Sequence, residues 1–133
     1  MVRARLNTIV VADDFAGFRS LVRAMLQENG FQNVVEASDG FEAVAKAAEL
    51  QPDLVLLDIG MPNLDGIKAA AQIRSAAPES KILFVSQNTD PDIVQAALSD
   101  GARGYVYKCE ISRELLPAIE AVLGGKRFVG GDC

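Results

Sequence analysis

Asp13, Asp14, Asp58, Ser86 and Lys108 are the residues of this chain whose types and positions could do chemistry together. Asp58 closes the run Leu54-Val55-Leu56-Leu57, and Gly60 and Pro62 follow at once. A short uncharged apolar run bounded by turn residues reads as a strand buried on both faces. Asp58 then sits at the carboxyl end of a buried strand, where open α/β sheets place their ligands. Taken alone, it reads equally well as a turn residue or a helix cap. The position recurs, however. Asp13 and Asp14 follow the β-branched run Thr8 to Ala12, Ser86 ends Lys81 to Ser86, and Lys108 follows Gly104 to Tyr107. In a parallel sheet these ends share one edge, so three carboxylates, a hydroxyl and an ammonium meet there. Neighbouring carboxylates repel, so either a carboxyl pKa rises or a cation binds. Oxygen-only ligands suit a hard divalent ion such as Mg2+, which keeps waters and accepts phosphate oxygens. Asp58 is a candidate nucleophile toward a phosphoryl group, giving an aspartyl phosphate. Such a transfer needs positioning and charge neutralisation, with Mg2+, Lys108 and the Ser86 hydroxyl each taking one phosphoryl oxygen.

The elements that must position these groups alternate along the chain. Strands are expected at Thr8 to Ala12, Val34 to Ala37, Leu54 to Asp58, Lys81 to Ser86 and Gly104 to Tyr107. Between them, Ala16 to Asn29 carries Phe18, Leu21, Val22, Met25 and Leu26 at helical spacing, with Gly30 as a stop. Asp39 and Glu42 form a capping-box pattern for a helix through Glu49. Asp65 caps a helix from Gly66 to Ala76, and Thr89-Asp90-Pro91 opens one to Ser99. Ser112 opens a last helix that Gly124-Gly125 ends, and Pro117 either kinks it or marks a later start. Five such β-α repeats argue for a parallel sheet with helices on both faces. Residues 1–125 are expected to form one domain and 126–133 a tail or the start of a linker.

Bulk properties narrow the field. The chain has 133 residues, enough for one core, and half of them are hydrophobic, which excludes global disorder. A formal charge of −5 argues against non-specific nucleic-acid binding by this domain. No apolar stretch approaches a membrane span, and the N-terminus lacks a signal-peptide core, so a cytoplasmic location is expected. Cys109 and Cys133 are the two cysteines, and free thiols are expected. Without histidine, neither a His-based metal site nor a Ser-His triad is available.

These motifs together resemble the receiver domains of two-component response regulators. The resemblance rests on Val10-Val11-Ala12-Asp13-Asp14, Leu56-Leu57-Asp58-Ile59-Gly60-Met61-Pro62 with Asp65-Gly66, Phe84-Val85-Ser86, and Gly101 to Lys108. It covers Thr8 to Gly125. It implies a doubly wound, flavodoxin-like five-stranded parallel sheet of order 2-1-3-4-5. It also implies that Asp58 is the phosphoacceptor. Asp14 would bind Mg2+ directly, Asp13 through water, and the Gly60 carbonyl would complete the metal site. Ser86 matches the switch hydroxyl, Lys108 the phosphate-binding lysine, and Tyr105 an aromatic that turns toward the core on activation. A histidine kinase is the implied partner, and a homodimer on phosphorylation is a family expectation. The ending Gly124 to Val129 is most similar to receivers joined to a helix-turn-helix domain, which implies control of transcription. A stand-alone receiver acting by protein contact is the alternative.

Three departures carry weight. Cys109 follows the lysine where many receivers have proline, so a cis peptide there loses its chemical rationale. Gly60 lacks a side chain, and Gln87 and Asn88 follow the switch serine, so phosphate lifetime is expected to depend on Asn88. Gly60 also occupies the position where an Asp-nucleophile phosphatase needs a second carboxylate, which argues against that enzyme class. Leu98, Arg103, Tyr105 and Tyr107 are expected to line the face between the fourth and fifth helices.

Overall fold

The computed structural model describes residues 4–131. Its strands are β1 (Arg5–Ala12), β2 (Phe31–Ala37), β3 (Leu54–Leu57), β4 (Lys81–Ser86), β5 (Gly104–Tyr107) and β6 (Phe128–Val129). Its helices are α1 (Ala16–Glu28), α2 (Gly40–Leu50), α3 (Gly66–Ala76), α4 (Pro91–Ser99) and α5 (Ile111–Leu123), with a single 3-10 turn at Lys108–Glu110. All strands run parallel in the order β2-β1-β3-β4-β5-β6. The expected five-strand order is therefore present with one strand added at the edge. The sequence signal for β6 is weak because two residues show no periodicity. Its position comes from tertiary hydrogen bonds: the Phe128 amide donates to Arg103 O at 3.0 Å and the Gly130 amide to Tyr105 O at 2.8 Å. A Cβ on Gly104 would run into the Phe128 carbonyl, so β6 can lie this close only on a glycine.

Each strand sends alternate side chains to opposite faces. Val10, Val55, Leu57, Ile82, Phe84 and Tyr105 pack with α2, α3 and α4. Ile9, Val11, Leu54, Leu56, Leu83 and Val106 pack with Val22 and Leu26 of α1 and with Leu115, Ile119 and Val122 of α5. Burial on both faces explains why β3 and β5 read as unbroken apolar runs.

Capping follows the sequence. Asp39 Oδ1 accepts from the Glu42 amide at 2.8 Å, while Glu42 Oε1 accepts from the Ser38 amide at 2.9 Å. Asp65 Oδ1 accepts from the Lys68 amide at 3.0 Å, and Asp90 Oδ1 from Asp92 at 2.9 Å. β1 and β2 each begin three residues before the expected start, since Arg5 and Phe31 are already paired. α5 starts one residue early and runs through Pro117, which excludes a start beyond it.

Two expectations need correction. Cys109 is disulfide-bonded and not a free thiol; Cys133 lies outside the described residues. Tyr105 and Tyr107 are core residues, 0 % and 8 % exposed, so they do not line an outer face between α4 and α5. No cis peptide occurs among the described residues, consistent with Cys109 in place of proline. No described helix is long and apolar enough to cross a membrane.

Candidate phosphoacceptor site

Asp58 is the first residue past β3, and its amide still donates to Ala12 O at 3.0 Å. The chain beyond it folds straight back, with Gly66 N–H donating to Ile59 O at 2.7 Å. A Cβ on Gly66 would overlap the Asp58 carbonyl and lie 2.7 Å from Ile59 Cα. Gly66 thus lets the first turn of α3 press against the backbone that carries Asp58. Asp58 Oδ1 accepts from the Ile59 amide at 2.8 Å, which leaves Oδ2 for the cleft.

Asp13 follows β1 and is fixed from three directions. Its amide donates to Ala37 O at 3.1 Å, its Oδ1 accepts from the Phe15 amide at 2.9 Å, and its carbonyl accepts from Arg19 Nη1 at 2.6 Å. Arg19 is itself held by Glu36 at 3.0 Å, and Arg23 binds the other Glu36 oxygen at 2.9 Å. Burial resists ionisation of Glu36, but the two guanidinium partners prevail and lower its pKa.

Lys108 Nζ lies 2.6 Å from Asp13 Oδ2 and 3.3 Å from Asp58 Oδ2. The short contact to Asp13 makes Lys108 the cation that partners this buried carboxylate. Burial raises the Asp58 pKa, the Asp13 charge adds to the rise, and Lys108 and the Ile59 amide oppose it. Burial disfavours the charged form of Lys108, but Asp13 and Asp58 outweigh that and raise its pKa. The ammonium also sits 4.4 Å above the centroid of the Phe18 ring.

Asp13, Asp14 and Asp58 each present an oxygen within 4.8 Å of the others. They line one open cleft of roughly 600 Å3 with Phe15, Gly60, Ser86, Gln87, Asn88 and Lys108. Six of the seven residues singled out from sequence therefore converge. Nothing lies within 4 Å of where a Gly60 Cβ would be, so the cleft stays open on that side.

The seventh, Tyr105, is placed differently. Its ring is fully buried and its hydroxyl donates to Asn88 O at 2.7 Å. The expected inward turn on activation meets a ring that is already inside. Burial raises its phenol pKa, with Ser86 opposing. Ser86 Oγ accepts from the Asn88 amide at 3.2 Å, and Asn88 Oδ1 accepts from Asp90 at 3.0 Å. One loop thus connects the cleft hydroxyl to the core aromatic.

Phe18 and Arg19 are the site residues that sequence reading missed. Phe18 was absorbed into the apolar stripe of α1, and Arg19 is one position away on the same turn. The available signal was their place one turn after Asp14, on the first turns of the helix leaving the acidic edge.

An open parallel α/β domain with an acidic cluster and a paired lysine at its strand ends defines the class. The response regulator receiver domain family matches residues 9–120, and the chain belongs to that family. It is 36% identical over 117 residues to the chemotaxis protein CheY of Bacillus subtilis, covering 88% of this chain and 98% of that one. It is 37% identical over 123 residues to the oxygen regulatory protein NreC of Staphylococcus aureus, covering 91% of this chain but only 57% of NreC. Among solved structures, a LuxR-family two-component response regulator from Aurantimonas sp. SI85-9A1 superposes with a TM-score of 0.87 at 33% identity, covering 93% of this chain and 89% of that one.

Proposed function

We propose that this receiver domain is a phosphorylation-controlled switch with Asp58 as phosphoacceptor. The pairing of Asp58 Oδ2 with Lys108 at 3.3 Å, in a cleft that also presents Asp13, Asp14 and Ser86, carries this reading. A histidine kinase supplies the phosphoryl group from a phosphohistidine. The P–N bond breaks, its electron pair stays with the imidazole, and a P–O bond forms to Asp58. Oδ2 is the attacking oxygen because Oδ1 is held by the Ile59 amide. Lys108 then turns from carboxylate to phosphoryl oxygen, and Ser86 donates its hydroxyl hydrogen to another.

The donor set fits Mg2+: all ligands are hard oxygens, and three carboxylates each bring one within 4.8 Å of the others. Asp13, Asp14, Asp58 and the Gly60 carbonyl would hold it. Bound there, it would neutralise charge on the phosphoryl group.

Drawing Ser86 toward the phosphoryl group disturbs its bond to Asn88, whose carbonyl is held by Tyr105. The change thereby reaches β5 and α4 as a shift between two states of one fold. The remade Tyr105–Asn88 contact transmits it, since the ring is already inward. The output reading is transcription through an effector domain, supported by the LuxR-family match, with a linker starting after β6 rather than at residue 126. The second reading is a stand-alone receiver acting by direct protein contact, in line with the similarity to CheY. Phosphorylation-dependent homodimerisation and a cytoplasmic location accompany either output.

The test is labelling by a small phosphodonor with Mg2+. Wild type should be labelled and Asp58→Asn should not; stoichiometric labelling of Asp58→Asn overturns the assignment.

A further inference from the structure

We infer that Phe18 is a positioning residue for Lys108, an inference that rests on Asp58 being the phosphoacceptor. A lysine ammonium is a compact point charge on a flexible four-carbon stem, with no directional preference of its own. Three contacts define where this one sits: Asp13 at 2.6 Å, Asp58 at 3.3 Å and the Phe18 ring face at 4.4 Å. The first two are charged groups with other tasks. In the reaction proposed above, Asp13 would serve a cation and Asp58 becomes an acyl phosphate, so the ammonium exchanges its two carboxylate partners for a phosphoryl oxygen.

The ring does not titrate, does not ligate Mg2+ and does not compete for a phosphoryl oxygen. Its quadrupole attraction for the ammonium therefore does not depend on the charge carried by Asp13 or Asp58. Phe18 is also fixed in space. It packs against the core layer beneath β1 and borders a narrow apolar recess with Val11, Val22, Leu56 and Val85. The next residue, Arg19, ties the same turn of α1 to the Asp13 carbonyl at 2.6 Å. The first turns of α1 thus hold both the floor of the cleft and the ammonium above it.

An ordinary core role for Phe18 predicts something different from this. Leucine would serve the core nearly as well, whereas only an aromatic face retains the ammonium. Phe18→Leu should therefore label with a small phosphodonor and Mg2+ about fivefold more slowly than wild type, a factor that corresponds to roughly 1 kcal/mol. Phe18→Tyr should restore the rate. NMR supplies a second readout that core packing does not move. The Lys108 Hε resonances of wild type and Phe18→Tyr should show an upfield ring-current displacement that Phe18→Leu lacks. Equal labelling rates for Phe18→Leu and wild type, or undisplaced Lys108 Hε resonances in wild type, overturn the inference. If Phe18→Leu does not fold, the wild-type resonances still decide it. Absence of any labelling of wild type overturns the phosphoacceptor reading, whereas labelling indifferent to residue 18 overturns this inference alone.

Discussion

Replacing Lys108 by methionine removes the cation paired with the two buried carboxylates while preserving most of the apolar stem. At an effective dielectric of about 20, contacts of 2.6 and 3.3 Å correspond to roughly 6 and 5 kcal/mol of attraction. Desolvation of the three groups offsets most of this, and breaking a buried pair costs about 3–5 kcal/mol. The Lys108 side chain keeps 19% of its exposure, which lowers the expected loss to roughly 2 kcal/mol. For a domain of this size that lowers Tm by roughly 6–10 °C. The carboxylates left behind repel one another, so Mg2+ should bind the variant more tightly and recover much of the deficit. Thermal unfolding of wild type and Lys108→Met, each with and without millimolar Mg2+, reads both effects. Equal melting without Mg2+, together with an equal Mg2+ increment, would refute the ion-pair reasoning. A sodium chloride control of matched ionic strength separates site binding from general screening.

Three further outcomes follow from the geometry. Gly66→Ala should destabilise by roughly 2–4 kcal/mol, because its Cβ meets backbone at Asp58 and Ile59 that cannot yield; denaturant unfolding reads the loss. The raised Asp58 pKa means that the unfolded chain releases this proton at lower pH than the fold does. The associated penalty begins as pH rises through the unfolded value near 3.9 and is complete above the folded value, so the stability gain of Asp58→Asn should be full at neutral pH and vanish in acid. Asn88→Ala should alter the rate of phosphate loss, since Asn88 lines the cleft, frames Ser86 and spends its Oδ1 on Asp90. An unchanged autodephosphorylation rate would remove Asn88 from that role.

The strand ends were legible because parallel sheets write themselves as short apolar runs closed by polar residues. Lys81–Ser86 and Gly104–Tyr107 match their expected bounds, and Asp13, Asp58, Ser86 and Lys108 share the cleft as the topology requires. The Asp and Pro signals likewise placed α3 and α4 within their observed ends. What escaped depends on contacts distant in sequence. β6 exists because its amides find carbonyls of residues 103 and 105, and two residues leave no pattern of their own. Phe18 has the spacing of a core residue, and only the fold brings the lysine ninety positions away over its ring. Tyr105 is buried with its hydroxyl on the Asn88 carbonyl, and side-chain identity alone does not encode which staggered rotamer is occupied.

The central claim is that Asp58 takes the phosphoryl group. Incubation with a small phosphodonor, reduction of the acyl phosphate with borohydride and peptide mass spectrometry locate the modified carboxyl directly. Mg2+-dependent modification of Asp58 alone is the expected result. Modification of Asp13 or Asp14 in its place, or none with Mg2+ present, would contradict it.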